Sequence, residues 1–526
     1  MPISLFLTRA FCLSALAVLC VSSLAAQRTE PDTKEPLDFS GMRPSDLVAE
    51  FDKDPARWYE EPCVFGVPIA AALQEVSPDD AWVQRTSLFA RALCAAHEDR
   101  FEDGIQRVRE LREVEPEAEY AALTLFLAAK AKDAQLALDL FSWLDSESMP
   151  SLTRAHFWPA YRTIREAGRE DELSDRTLAW FESGLIEQAT WNMEASLADS
   201  ALDAAARQGR DDMVDDLLAA MSRPDSYIDL LTERRYAAFW PQIEERAGAN
   251  LSAVGEENVA KARQGLEENP DDSDKLSDLA RALHYHGEYQ AVIDLVNDAL
   301  ANKEGVEEIE EGDAWALNLQ AYAYDSLGQT DKADAIFDRL ASLDPERNHW
   351  VVSFVINRAS RLVGYSRFAE GLEAARLART VPGTTYAEMI VAKDHACALN
   401  ALGRAEEAEL ELAFLRDNKS ASVALAATGL LCHGLRDEAA QILLEGLRDP
   451  STRSSALDAL RPPEADLFYT QSILPDTHQL LEDHAELLAE LEQLARPLPE
   501  AMVPRAATLR ADLELPNWEE RVSAAQ

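Results

Sequence analysis

Apolar residues return every three or four positions along most of the chain, broken by short polar turns. That period predicts amphipathic helices rather than strands. The pattern is clearest over Asp313–Pro345, DAWALNLQAYAYDSLGQTDKADAIFDRLASLDP. Ala321 and Tyr324 fall on one face of a first helix, because residues three and four apart are neighbours there. Gly328 supplies the permissive backbone of a turn. Ala333, Phe337 and Leu340 line one face of a second helix, and Pro345 marks its stop. Small side chains at 321 and 333 let the two helices approach closely, and Phe337 fills the space beside them.

The same unit recurs with drift. Ala92, Phe101, Gly104, Val108, Leu111 and Pro116 fit it, with Phe101 in the turn. Leu125, Ala137, Phe141 and Leu144 fit it more loosely. Another unit runs from Leu202 through Gly209 to Met221. The most regular series begins with Leu276, Ala280, Gly287, Tyr289 and Val296. After the Asp313 stretch, itself preceded by an acidic loop over Glu304–Gly312, come three more units. They are centred on Ala359 and Ala375, on Gly403 and Ala408, and on Gly434 and Ala439, the last closed by Pro450.

This order of small, aromatic, glycine, small, aromatic and proline positions resembles the tetratricopeptide repeat (TPR). The resemblance implies an all-α fold, an α-solenoid of antiparallel helix pairs stacked as a TPR-like superhelix. It divides the chain into a signal at 1–26, a lead-in and N-terminal cap at 27–80, and irregular TPR-like repeats at 81–260. A regular array follows at 261–450, then a capping helix and tail at 451–526. Asp476–Ala495 reads as one strong helix that covers the open apolar end of the array. Pro497–Gln526 reads as loosely structured, with Trp518 as a tether.

The first residues change the picture of where the chain works. Arg9, the short apolar run FCLSALAVLCVSSLA and small residues up to Ala25 and Ala26 have the form of a secretory signal peptide. Leu19 before Cys20 argues against lipidation at that cysteine, because lipoprotein signals resemble one another in placing a small residue there. No later run is long enough to span a bilayer, so the expected location is periplasmic or secreted. The formal net charge is -45, which repels nucleic-acid phosphates and anionic lipid. Such a surface is a solvated outer face or a match for a basic partner.

Beyond Cys12 and Cys20 the chain has Cys63, Cys94, Cys397 and Cys432. An exported protein permits disulfides among them, and Cys397 with Cys432 falls in the first helices of successive repeats. The favoured expectation is nonetheless small buried thiols, which pack well in cores. There is no CxxC, HExxH, GxSxG or phosphate-binding glycine loop, so no catalytic residue, metal ligand or cofactor is assigned. His284 and His286 stand two apart and diverge on a helix.

In TPR arrays the first helix of each pair lines a concave surface that takes a peptide or partner helix. Carrying those positions over gives Asp274, Arg281, His284 and Tyr285 in one unit and Trp315, Asn318, Tyr322 and Asp325 in the next. Lys393 and Asn400 follow further on. Trp315 and Tyr322 serve equally as interface aromatics or as packing against the neighbouring repeat. The resemblance implies an exported, non-catalytic scaffold for a protein or peptide partner. Two alternatives stay open: a cell-envelope enzyme or enzyme subunit with an unrecognised site in the irregular regions, and a peptidoglycan or carbohydrate binder using some of the ten tryptophans.

Overall fold

The computed structural model describes residues 36–53, 57–114, 121–142, 154–186, 191–303, 308–344, 348, 350–380, 384–467, 474–509 and 517–526. The signal at 1–26 and the proline stops at Pro116 and Pro345 lie outside them. Among the described residues the chain is all-α, and its only β-type pairing is one bridge between Glu233 and Ala495. No helix there is long and apolar enough to cross a membrane. The chain forms two compact units, 1–213 and 214–526.

In the first unit the paired helices are α1 (Ala81–His97) with α2 (Phe101–Val114), α3 (Ala121–Lys130) with α4 (Ala134–Phe141), and α5 (Arg154–Glu166) with α6 (Glu170–Glu182). Helix α7 (Trp191–Gln208) packs on α6. Phe101 opens α2 and is not in the turn as expected. The apolar stripes meet where the sequence period places them: Leu125, Ala137 and Phe141 have no exposed surface, and Phe141 stands edge-on to Trp180 at 5.5 Å.

The second unit carries the regular series. Helix α8 (Ser252–Glu268) is followed by α9 (Ser273–Tyr285) and α10 (Tyr289–Ala299), α11 (Glu311–Ser326) and α12 (Thr330–Ala341), and α13 (Val351–Gly364) and α14 (Phe368–Ala378). Then come α15 (Thr385–Ala401) and α16 (Ala405–Asp417), and α17 (Val423–Leu431) and α18 (Arg436–Arg448). Ala321, Ala333, Phe337 and Leu340 are all buried at 1% exposure or less, so the seam predicted from spacing is the core. Gly312, expected in a loop, lies in the first turn of α11; a Cβ there would sit 2.3 Å from the Ser273 backbone carbon. Its absence lets α11 lie against the start of α9.

One device repeats at every turn within a pair. A single residue takes the left-handed conformation: Asp99, Lys132, Gly168, Gly287, Gly328, Ser366, Gly403 or Gly434. The next residue's N–H then bonds back to the carbonyl five positions earlier, as in Glu288 to Leu283 at 2.9 Å, Gln329 to Tyr324 at 2.8 Å and Arg404 to Leu399 at 2.8 Å. This is the Schellman closure, which satisfies a helix-end carbonyl that would otherwise be orphaned.

Past α18 the chain adds α19 (Arg453–Ala459), α20 (Leu480–Asp483), α21 (Ala485–Leu494), α22 (Arg505–Leu509) and α23 (Trp518–Ala525). The single helix expected over Asp476–Ala495 is in fact divided at His484, whose φ of -119° and ψ of 84° are not helical. Leu480 and Leu487 are buried among Leu430, Leu443, Leu447 and Leu457.

The cysteines differ from the expectation of free buried thiols. Cys63 is bonded to Cys94, with Cα atoms 4.8 Å apart, and Cys397 to Cys432, with Cα atoms 5.1 Å apart. Packing of the helical turn Pro62–Gly66 on α1, and of α15 on α17 of the next pair, brings both cysteine pairs within the span a disulfide bridges.

Candidate interaction surface

Three first helices of the pairs, α9, α11 and α15, carry the residues singled out from the sequence. Six of those ten are buried: His284, Tyr285, Asn318, Tyr322, Asp325 and Lys393. Each is committed to a neighbour. His284 stands edge-on to Tyr289 at 5.2 Å, and Tyr322 packs on Phe337 at 6.0 Å. Burial pushes the Tyr285 and Tyr322 phenols above their ordinary range. Asn318 accepts a hydrogen bond from the Asn357 side chain at 3.1 Å. Asp325 takes both Arg361 Nε and Nη2, at 2.6 and 2.8 Å. Lys393 pairs with Asp394 at 2.8 Å.

The other four reach the surface. Trp315 is half-buried and meets Phe354 of the next pair edge-on at 4.9 Å. Arg281 is half-buried in α9. Its charge helps Arg223 hold the Asp225 carboxyl below its ordinary range, against the opposing effect of burial. Asn400 is half-buried and donates to the Cys432 carbonyl at 2.7 Å. Asp274 is exposed at the start of α9. Partial enclosure, and then the carboxylates of Asp272, Asp278 and Glu311, push its pKa up. A concentration of like charge that raises a carboxyl's pKa is one a cation would relieve.

The segment after α19 was read from the sequence as a cap and a loose tail, and it does more. Arg461 pairs with Asp229 of the helix over Pro224–Thr232. Ala495 bridges Glu233, and the Arg496 N–H donates to Thr232 O at 2.8 Å. The Arg496 guanidinium lies 3.6 Å from the centre of the Trp240 ring and bonds Leu231 O at 2.6 Å and Glu244 at 2.7 Å. Asn250 donates to Val503 O at 2.8 Å. The two ends of the second unit are therefore joined.

The chain then follows the turns of the pairs. Tyr289 donates its hydroxyl hydrogen to Ala506 O at 3.0 Å, beside Gly287, where a Cβ would come within 3.1 Å of Ala506. At the far end α23 seats Trp518 against Phe368, with ring centres 5.6 Å apart. The Trp518 Nε1–H donates to Cys432 O at 3.2 Å. Arg521 Nη1 donates to Gly364 O at 2.8 Å and Ser366 Oγ at 3.2 Å, and Gln526 donates to Asn400 O at 3.1 Å. Trp518 was legible as a tether because it is the single aromatic ring in the tail. Arg521 was not, because nothing local distinguishes a buried arginine from a solvated one.

No protein-family model matches the chain, and no curated protein matches it. Among solved structures the chain is similar to one in the crystal structure of the APC/C hetero-tetramer Cut9-Hcn1. The identity is 11% over 91% of this chain and 99% of that one, with a TM-score of 0.22. A score of that size leaves the fold resting on the helix pairs described above.

An open cavity of about 400 Å³ lies among α10, α11 and α12, lined by Leu300, Leu317, Tyr324 and Ile336. Its polar groups are engaged: Gln320 donates to Ile293 O and Asn297, and Lys332 lies over the Tyr324 ring. Cys63, Cys94 and Glu98 have ligand-type atoms within 4.8 Å of one another, but the disulfide consumes both thiols.

Proposed function

We propose that this chain is an exported, non-catalytic TPR-like scaffold that holds a basic protein or peptide on its helical array. The observation that carries the reading is the run of stacked helix pairs in the second unit, because such arrays present long repeated surfaces to partners. Asp274, Arg281, Trp315 and Asn400 reach the surface on the first helices and serve as contacts. The buried His284, Tyr285, Asn318, Tyr322, Asp325 and Lys393 set the spacing of the pairs behind them. The carboxylates around Asp274, on a chain of formal charge -45, supply the attraction for a basic partner. Export is supported by the signal-like start and by two disulfides, which persist in oxidising compartments.

Cross-linking in the native envelope, followed by identification of the captured protein, tests this. The expected result is one dominant basic partner whose recovery falls as salt is raised and falls again with Asp274→Asn and Trp315→Ala. Turnover of an envelope substrate by the isolated chain would overturn the reading, as would a partner insensitive to both substitutions.

A further inference from the structure

The site that holds α23 is built like a receptor for a short helix, and it lies on the turn edge of the array. Its floor is the buried cluster of Val363, Phe368, Leu372, Cys397 and Cys432. Its rim is three acceptors at helix ends, Gly364 O, Ser366 Oγ and Cys432 O. The Cys397–Cys432 disulfide, in the same buried cluster as the indole, ties α15 to the end of α17, so that part of the floor and the Cys432 O acceptor are held independently of the occupant.

The occupant is slight by comparison. Helix α23 has eight residues, fewer than an isolated helix needs to persist in water. Its hold rests on Trp518, Arg521, the partly buried Val522 and the Gln526 bond to Asn400 O, while Glu519, Glu520 and Ser523 to Ala525 face solvent. Asn517 caps its start by accepting from the Glu520 N–H at 2.9 Å. Arg521 is 6% exposed and donates to a carbonyl and a hydroxyl of the neighbouring turn. Burial accordingly draws its pKa down. The segment is thus ordered by docking, and its undocking is a local opening that leaves the array intact.

We propose that this pocket is an exchangeable peptide-binding site for a short amphipathic helix carrying Trp and Arg three residues apart, and that α23 is its resident ligand in cis. A partner helix of that chemistry gains entry by replacing α23. Trp518 and Arg521 specify the occupant because one fills an aromatic slot and donates one hydrogen bond, and the other reads two oxygens at the neighbouring turn. The site meets the surface assigned above at Asn400, which bonds Gln526 and Cys432 O, but does not use Asp274 or Trp315, so substitutions at those two test that surface without touching this site.

The test uses the full chain with Trp518→Ala and Arg521→Ala together, titrated with a fluorescent peptide of residues 517–526. The vacated variant should bind the peptide at least tenfold more tightly than the unsubstituted chain, which carries its own competitor. A peptide with Trp518→Ala should lose that binding. If the variant keeps its helical spectrum and melting transition but does not bind, the proposal is wrong; equal binding by both chains also defeats it. Should the variant fail to fold, hydrogen exchange on the unsubstituted chain decides. Amides of 519–525 should exchange at least a hundredfold faster than those of 389–399, and equal protection would overturn the proposal.

Discussion

Arg361 shows at the residue scale why the array keeps its spacing. It is 3% exposed, bonded to Asp325 through two nitrogens, to Asp334, and to Thr330 O at 3.1 Å. It links α13 to both α11 and α12. Removing one partner of a buried pair strands the other charge, so Arg361→Ala should cost about 3–5 kcal/mol of unfolding free energy in urea. Arg361→Met with Asp325→Leu should recover most of that loss. If the double variant is no better than the single one, the cost lies in packing and not in the stranded carboxylate. The sequence flagged Asp325 as a groove position because it sits where TPR arrays present side chains. Its actual partner is 36 residues away, beyond what periodicity can see. Gly312 was misread for a related reason: a glycine after an acidic run looks like loop, and only the approach of Ser273 explains it.

The elements were legible because helix period, turn residues and small-residue positions agree. The left-handed turn position was legible where glycine fills it, and hidden where Asp99, Lys132 or Ser366 does. A non-glycine residue there costs about 1–2 kcal/mol of backbone strain. Lys132 is exposed with φ of 54°, so Lys132→Gly should raise stability by about 0.5–1 kcal/mol after the glycine's extra unfolded-state entropy. A higher urea midpoint with unchanged slope is the expected signature, and a lower midpoint would contradict the strain argument. Asp99→Gly should gain less, because aspartate tolerates that conformation better than lysine. The break at His484 was not legible: the apolar spacing of Leu480, Leu487 and Leu491 continues across it, and the backbone departs from helix without a glycine or proline to announce it.

At the scale of the second unit, closure through Arg496 makes distant segments share a fate. Arg496→Ala removes the stacking on Trp240 and charge-assisted bonds to Leu231 O and Glu244, a loss of about 2 kcal/mol. Hydrogen exchange should then quicken together in 224–247 and 480–503 while 385–401 stays protected. Faster exchange in 480–503 alone would mean the ends are docked but not coupled. The sequence by itself determined the helix pairs, their turns and their buried seam, because each is set by side chains within one helix or its adjoining turn, where spacing is informative. Tertiary structure alone decided which cysteines join, which groove positions are buried, and that the last residues run back along the array. Those outcomes depend on contacts such as Arg521 with Gly364, 157 positions apart, for which a single chain of letters holds no period to read.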